Sequence, residues 1–331
     1  MDYLKKLEKI QKANQTSIDL TAILKRFYSS YKEAAMQNGF SEEELELILE
    51  HFLTYLENQL VRPYQFEPFH QAIRHPIDYY QFGLDFIRPL IVLNESKALN
   101  LTYADAIEKK LTQNENIILF ANHQVEPDPQ AISILLEKTH PKLSQEMIFV
   151  AGHRVVSDPL CIPFSMGRNL LCIYSKKHIQ NPIEEMSEKL LHNKRTMNKM
   201  KELLSEGGKC IYVAPSGGRD RLNAKGAIEL AKFDPQSIEM FALMARESGK
   251  KTSFYPLSLS TYHLLPPPHS VDKELGEVRH ATCTPIHLCF GEEIDMENFP
   301  GSENLSKKEK RQARADYIWN IVLSNYQQFS T

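Results

Sequence analysis

The sequence feature that most constrains the fold is a series of short, largely apolar segments spread over the C-terminal two thirds of the chain. These segments cover 117–121, 147–151, 170–174, 210–214, 254–259 and 286–290. Stretches with helical patterns separate most of them, notably 184–205, 235–248 and 306–327. Strands without regularly alternating polar residues are buried on both faces, as in sheets covered by helices on each side. We therefore predict an α/β fold with a mainly parallel, mixed sheet flanked by helices.

The N-terminal segment has a different pattern. Its apolar residues recur at helical spacing from 20 to 31 and again from 45 to 56, with no period-two alternation. Ser41 and Glu44 form a capping-box sequence before the second stretch. Amphipathic helices must bury their apolar faces against one another, so these features predict a small N-terminal helical bundle domain.

Prolines at positions 63, 68 and 76 interrupt the chain after this segment. Proline disfavours continued helix, and a cluster of prolines is typical of a connecting segment. We therefore expect two domains, a helical bundle over 1–75 and an α/β domain over 76–331.

Charge and hydropathy exclude several classes of protein. The chain of 331 residues carries 39 Lys plus Arg against 42 Asp plus Glu, a net charge of −3, which argues against a nucleic-acid partner. Its longest apolar run, Met240–Ala245, is far shorter than the roughly 18 residues that span a bilayer. At most peripheral membrane contact is expected.

The five cysteines contain no CxxC pair, so they favour free thiols in a reducing compartment over disulfides or a zinc site. The first residues contain neither the apolar core of a signal peptide nor a transit-type composition. We expect a cytoplasmic protein, or a protein of the plastid stroma if a transit peptide has been removed.

A histidine and an aspartate follow the strand predicted at 117–121. His123 and Asp128 are separated by four residues, and a helical pattern begins just after them. In one interpretation Asp128 only caps this helix, with Pro129 at the first helical position. In the other, Asp128 orients His123 as a general base that activates a hydroxyl. The spacing leaves both interpretations open.

Cationic loops follow two further predicted strands. Lys176, Lys177 and His178 come after the strand at 170–174, and Arg219 and Arg221 come after the strand at 210–214. Either cluster alone is typical of a solvated loop. Because parallel strands place their carboxyl ends at one edge of a sheet, the two clusters can converge on one anion. They predict a phosphorylated small substrate.

Sequence signals for other chemistries are missing. GxGxxG, GxxxxGK[ST], HExxH and GxSxG do not occur. Ser216 is a candidate nucleophile, but Gly217 and Gly218 equally suit a loop that approaches a ligand closely. Direct attack by a bound hydroxyl, without a covalent intermediate, is therefore the simpler chemistry.

Four segments together resemble the ordered sequence blocks of the glycerolipid acyltransferases. They are Asn122-His123-x4-Asp128, then Pro163-Phe-Ser-Met-Gly167-Arg168-Asn, then Ala214-Pro-Ser-Gly-Gly-Arg219-Asp-Arg221, and Tyr255-Pro256-Leu257. The resemblance covers most of 115–270 and is strongest to the soluble, plastid-type glycerol-3-phosphate acyltransferases. Membrane-bound members usually carry Glu-Gly-Thr-Arg in the third block, where this chain has Ser216-Gly-Gly-Arg219. This departure favours the soluble branch.

The resemblance implies a role for each block. His123 is similar to the family's catalytic base and Asp128 to its orienting partner, while Lys177, His178, Arg219 and Arg221 match positions that bind the substrate phosphate. Arg168, Ser216, Gly217 and Gly218 are candidate supporting residues, with Arg168 either an oxyanion donor or part of a structural ion pair. The family uses no metal or organic cofactor.

The implied reaction is transfer of an acyl group from acyl-acyl carrier protein, or acyl-CoA, to the sn-1 hydroxyl of glycerol 3-phosphate, the first step of phospholipid synthesis. Alternatives are acylation of lysophosphatidate or another phosphorylated alcohol, and a non-catalytic module that binds acyl carrier protein through the basic helix at 184–205.

Overall fold

The computed structural model describes residues 3–14, 20–175, 179–180, 182–267 and 279–330. Its first three helices are α1 (Tyr3–Asn14), α2 (Leu20–Gln37) and α3 (Glu42–Val61). The predicted capping box at the start of α3 is confirmed. Ser41 Oγ accepts the Glu44 N–H, and the Glu44 carboxylate accepts the Ser41 N–H at 2.8 Å.

These helices bury their apolar faces in a core that continues into the rest of the chain. Tyr31 and Leu53 are fully buried there together with Phe86 and Ile286. The Tyr31 hydroxyl also donates to the Phe86 carbonyl at 2.7 Å. The N-terminal helices therefore share one core with later segments, and the division at residue 75 stays a prediction.

Within the described ranges, eight strands form the main sheet, in the order β1-β5-β4-β6-β3-β9-β10-β2. Their bounds are β1 (Phe69–His70), β2 (Lys97–Leu99), β3 (Asn116–Ala121), β4 (Ile148–Gly152), β5 (Asn169–Ile173), β6 (Cys210–Val213), β9 (Thr252–Ser260) and β10 (His287–Phe290). A separate two-stranded ribbon contains β7 (Arg221–Leu222) and β8 (Ile228–Glu229).

Five of the seven strand pairings in the main sheet are parallel, and the β1–β5 and β9–β10 pairings are antiparallel. The prediction of a mainly parallel, mixed sheet is confirmed, and so are all six predicted strands. The two-residue and three-residue strands are not predicted, because they are too short to produce a hydrophobic pattern of their own.

The remaining helices connect and cover the strands. They are α4 (Tyr79–Ile87), α5 (Leu101–Thr112), α6 (Asp128–Leu136), α7 (Pro141–Glu146), α8 (His153–Ser157), α9 (Ile162–Met166), α10 (Met186–Glu206), α11 (Pro235–Glu247) and α12 (Lys307–Gln327). The three long helices predicted from the sequence correspond to α10, α11 and α12. In the described residues, no helix is long and apolar enough to cross a membrane.

Strand β3 is buried on both faces, and each face packs on a different helical layer. Ile118 and Phe120 contact one core with residues of α10, α11 and α12. Ile117 and Leu119 contact the opposite core with residues of α5 and α6. The carboxyl ends of β3, β4, β5, β6 and β9 lie along one edge of the sheet, since these strands run parallel.

All five cysteines are free thiols, as predicted. Burial raises the pKa of Cys172 to about 12, so this thiol stays protonated at neutral pH.

Candidate active site

The loop after β3 is anchored to β9 by the side chain of Asn122. Its amide nitrogen donates to the Leu259 carbonyl at 2.9 Å, and its amide oxygen accepts the Leu259 N–H at 2.8 Å. These two bonds have the pattern of a backbone pairing between strands, so the Asn122 side chain extends the pairing of β3 with β9. It fixes the position from which the next residue, His123, projects.

His123 and Asp128 form a hydrogen-bonded pair at this edge of the sheet. His123 Nδ1 lies 2.8 Å from Asp128 Oδ2, and the side chains are 30% and 1% exposed, respectively. With the Nδ1 proton donated to the carboxylate, a neutral ring carries its free lone pair on Nε2. The pair therefore combines a fully buried acceptor with a ring that remains accessible.

The carboxylate of Asp128 is held by further donors from two segments. Oδ2 also accepts the Gln124 N–H at 2.9 Å, while Oδ1 accepts the Thr261 hydroxyl at 2.5 Å and the Val125 N–H at 3.4 Å. These donors stabilise the ionised form of the buried carboxyl.

The interpretation of Asp128 as only a helix cap is wrong. Pro127 occupies the N-cap position of α6, and no side chain caps that helix. Asp128 is the first helical residue and Pro129 the second, one position later than predicted. The Asp128 carboxylate faces back toward His123 and the preceding loop, because that loop turns tightly around it.

Opposing effects act on the pKa of His123. Burial lowers it, whereas the hydrogen bond and charge of Asp128, together with the charge of Glu126, raise it, and Arg219 lowers it. The net result is a pKa above the ordinary value for histidine. The negative partners thus stabilise the imidazolium that forms when the ring accepts a proton.

Glu126, inside the same loop, holds two arginines. Its Oε1 accepts hydrogen bonds from Arg219 Nη1 and Arg279 Nη2, and both guanidinium side chains are largely buried. Burial acts to raise the pKa of Glu126, but the charges of Arg279 and Arg219 outweigh it and lower this pKa. The predicted phosphate ligand Arg219 therefore lies beside the loop that carries His123 and Asp128.

Of the other three predicted phosphate ligands, the structure describes only Arg221. Arg221 is half-buried at the start of β7, opposite Glu229 of β8. Lys177 and His178 lie outside the described residues, as does Lys176. Their roles stay predictions from the sequence.

The loop between β6 and β7 is open to solvent at its tip. Ser216 Oγ donates to the Gly218 carbonyl at 2.8 Å, and Gly217 adopts a φ of 63°, which favours glycine. A Cβ atom added at Gly217 or Gly218 would meet no atom of the described residues within 4 Å. The tip thus has room for a ligand to approach.

Arg168 lies at the amino end of β5, whereas His123 follows the carboxyl end of β3. The Arg168 side chain is buried, donates to Ser133 Oγ on α6 at 2.6 Å and stacks 4.6 Å from the ring centroid of Tyr80 on α4. Burial lowers its pKa to about 10. The expected ion pair is absent from the described residues, because the partners of Arg168 are a hydroxyl and an aromatic face.

Asp220 joins the two loops. It is 1% exposed, and its carboxylate accepts hydrogen bonds from Asn122 Nδ2 at 2.8 Å, Gln124 Nε2 at 3.1 Å and the Ala231 N–H at 2.9 Å. Its own N–H donates to the His123 carbonyl at 2.7 Å. Burial raises the pKa of Asp220 to about 6, against the effect of these bonds.

Asp220, Glu126, Thr261 and Arg279 are not predicted from the sequence. Glu126 lies between His123 and Asp128, and Asp220 lies between Arg219 and Arg221. A charged residue at such a position between motif residues is a sequence signal that could have identified both as site residues. Thr261 and Arg279 give no such signal, because they reach the site only through the fold.

A cleft of about 310 Å³ opens at the carboxyl ends of β4 and β5. Its lining includes Tyr64, Phe66, Val156, Ile162 and Tyr174. In the sheet order, β4 lies two strands from β3. The cleft therefore offers aromatic and aliphatic surface on the sheet edge that carries His123.

Comparisons with known proteins relate this chain to acyltransferases. The family model described as Acyltransferase matches residues 104–260. The chain is 39% identical over 303 residues to the chloroplastic glycerol-3-phosphate acyltransferase of Spinacia oleracea, covering 89% of this chain and 63% of that protein. It is 36% identical over 330 residues to the chloroplastic glycerol-3-phosphate acyltransferase of Arabidopsis thaliana, covering 98% of this chain and 72% of that protein.

Among solved structures, the chain is similar to the 1-acyl-sn-glycerophosphate acyltransferase from Thermotoga maritima. The TM-score is 0.36 at 17% sequence identity, covering 74% of this chain and 78% of that one. A likeness this distant carries no inference about the site.

Proposed function

This chain belongs to the glycerol-3-phosphate acyltransferase family, and we propose that it transfers a fatty acyl group from a thioester donor to the sn-1 hydroxyl of glycerol 3-phosphate. The donor is acyl-acyl carrier protein or acyl-CoA, and the product is 1-acylglycerol 3-phosphate. The cytoplasm or the plastid stroma is the proposed compartment. The chain spans 63% of the length of the spinach relative.

The observation that carries the proposal is the contact between His123 and Asp128. Asp128 is buried and fully hydrogen-bonded, while His123 keeps part of its ring exposed. A base with a buried carboxylate partner fits proton abstraction from a hydroxyl near neutral pH.

The proposed reaction is a single acyl transfer. His123 Nε2 accepts the proton of the sn-1 hydroxyl as its oxygen attacks the thioester carbonyl carbon. The C–S bond then breaks, and the imidazolium returns the proton to the departing thiolate. Asp128 stabilises the imidazolium between these two proton transfers.

Direct transfer is favoured over a covalent acyl-enzyme by the surroundings of the base. Within the described ranges, the side-chain partner of His123 is Asp128, and no serine, threonine or cysteine side chain is hydrogen-bonded to the ring. An activated nucleophile requires such a contact with its base.

The phosphate group of the acceptor is proposed to bind Lys177, His178, Arg219 and Arg221. Support comes from the position of Arg219, which contacts Glu126 within the loop that bears the base. A phosphate anchored there uses binding energy to place the hydroxyl near His123.

The test is incubation of the purified protein with glycerol 3-phosphate and labelled acyl-acyl carrier protein or acyl-CoA, in parallel with His123→Ala. We expect labelled 1-acylglycerol 3-phosphate from the wild type, and from His123→Ala at a rate lower by about 10²- to 10⁴-fold. Product from lysophosphatidate but not from glycerol 3-phosphate would overturn the acceptor. Carrier-protein binding without any turnover would overturn the enzymatic proposal.

A further inference from the structure

We infer that Asp220 is a positioning residue that fixes the base His123 relative to the phosphate-binding arginines. The inference rests on the proposed function, because it concerns how the parts of that site are held together. Asp220 does not itself touch the acceptor or the donor in this scheme.

On the side of the base, Asp220 contacts three consecutive residues. Its Oδ2 accepts from the side chains of Asn122 and Gln124, which flank His123 in the chain. Its N–H bonds the carbonyl of His123 itself at 2.7 Å. Both the backbone of His123 and its two neighbours are therefore tied to one buried residue.

The flanking side chains connect Asp220 further to the end of β9. Asn122 also bonds the backbone of Leu259, and Gln124 Oε1 accepts the N–H groups of Thr261 and Tyr262 at 2.6 and 2.8 Å. Each amide uses its donor and acceptor atoms in different directions, so neither can rotate without losing a buried bond.

On the side of the phosphate, Asp220 lies directly between Arg219 and Arg221 in the chain. Its Oδ1 accepts the Ala231 N–H at 2.9 Å, which ties it to the segment beyond the β7–β8 ribbon. The side chains of both arginines thus start from a backbone that Asp220 holds in place. The distance between His123 and these two arginines therefore depends on Asp220.

The network requires the carboxylate form of Asp220. In the described residues, the groups that face the Asp220 oxygens are the N–H donors of Asn122, Gln124 and Ala231. A protonated Asp220 carboxyl would place its own hydrogen against one of these N–H groups. The charge of Asp128 also acts to raise the pKa of Asp220. The charge of Asp220 in turn acts to raise the pKa values of Tyr212 and Tyr326, and His123 lies beside Asp220. Burial favours the neutral form, which makes the three donors necessary to keep the charge.

Two substitutions test the inference without a large change of shape. Asp220→Asn removes the charge and one acceptor. Gln124→Glu replaces the amide donor by a carboxylate facing Asp220 and retains the acceptor for Thr261 and Tyr262. Asp295→Asn is the control, since Asp295 is an exposed aspartate that accepts backbone N–H bonds from Glu297 and Asn298.

We expect Asp220→Asn and Gln124→Glu each to lower kcat by about 10- to 100-fold, because sub-ångström misplacement of a base is costly. The KM for glycerol 3-phosphate should rise in parallel for Asp220→Asn, and Asp295→Asn should behave as the wild type. If Asp220→Asn does not fold, judged by circular dichroism, Gln124→Glu supplies the same test.

A double-mutant cycle with His123→Ala separates positioning from simple loss of structure. Where no imidazole remains to be positioned, Asp220→Asn should cause no further drop in kcat but should still raise KM. Equal losses of kcat in both backgrounds, or normal kinetics in both single variants, would overturn the inference. A wild type without turnover would instead overturn the proposed function on which it rests.

Discussion

The Thr261 hydroxyl donates a 2.5 Å hydrogen bond to Asp128 Oδ1, the oxygen that His123 leaves unused. Thr261 follows the end of β9 and lies 133 residues from Asp128 in the chain. The carboxylate bonded to His123 is thus fixed from two sides, by its own loop and by the end of a neighbouring parallel strand.

Thr261→Val should therefore remove the shorter of the two hydrogen bonds that Asp128 Oδ1 accepts, leaving only the longer bond from the Val125 N–H. Hydrogen bonds to charged groups contribute about 1.5–3 kcal/mol, so we expect a loss of that order in the free energy of unfolding, with reduced kcat. Chemical denaturation and steady-state kinetics measure the two effects. Thr261→Ser keeps the hydroxyl and should retain most of both; equal loss in the serine variant would show that the methyl group matters instead.

His123→Ala should lower kcat by about 10²- to 10⁴-fold with little change in the KM for glycerol 3-phosphate, because a general base acts in the transition state. Asp128→Asn should lower kcat by a similar factor, since the amide cannot stabilise the imidazolium. Initial rates over a range of acceptor concentrations measure both constants. Near-normal turnover of His123→Ala would contradict the assigned base.

The raised pKa of His123 predicts the direction of the pH dependence. Only the neutral ring accepts a proton, so kcat should fall as the pH decreases through this raised value. The contribution of His123 to the free energy of unfolding changes with pH in the opposite direction to kcat. Preferential protonation stabilises the folded state below the unfolded pKa of about 6.5, and this contribution is lost as the pH rises through the folded value.

NMR titration of the His123 ring measures this pKa directly. Asp128→Asn removes the hydrogen bond and the charge that raise it, and should move the titration midpoint to lower pH. Glu126→Gln removes a charge that raises the His123 pKa less than Asp128 does, and should cause a smaller shift in the same direction. An unchanged midpoint in Asp128→Asn would contradict the electrostatic role of the pair.

Arg219→Ala should raise the KM for glycerol 3-phosphate by about 10- to 100-fold, the loss expected for one charge-assisted hydrogen bond to phosphate. The effect on kcat should be smaller. Arg246→Ala is the matched control, because Arg246 is an exposed arginine whose ion pair with Glu297 lies on the surface. Equal effects of the two substitutions would argue against a phosphate contact at Arg219.

Gly167→Ala should destabilise the fold through a steric clash. A Cβ atom at this position would lie 2.3 Å from the Tyr79 carbonyl oxygen, which is backbone and cannot move aside. Overpacking of this kind costs about 1–3 kcal/mol or more. Thermal unfolding should show a lower Tm than for Gly152→Ala, where an added Cβ lies more than 4 Å from every atom in the described part of the chain.

The sequence by itself determined the six longer strands, the long helices and the closeness of His123 to Asp128. Six strands and three long helices follow from local hydrophobic patterns, since burial on both faces of a strand or on one face of a helix repeats at a fixed spacing. His123 and Asp128 are only five positions apart, so one tight loop brings them together. Their pairing is a short-range property of the chain.

The tertiary structure alone decided which distant residues complete the site. Strand β9 pairs with β3 although β4, β5 and β6 intervene in the chain, and this order brings Thr261 to Asp128. The same topology places Arg279 beside Glu126, 153 residues away, and leaves Arg168 at the opposite end of β5 from the sheet edge that carries His123. Local patterns encode burial and caps, whereas strand order is fixed by how whole layers pack, so the contacts between loops had to come from the fold.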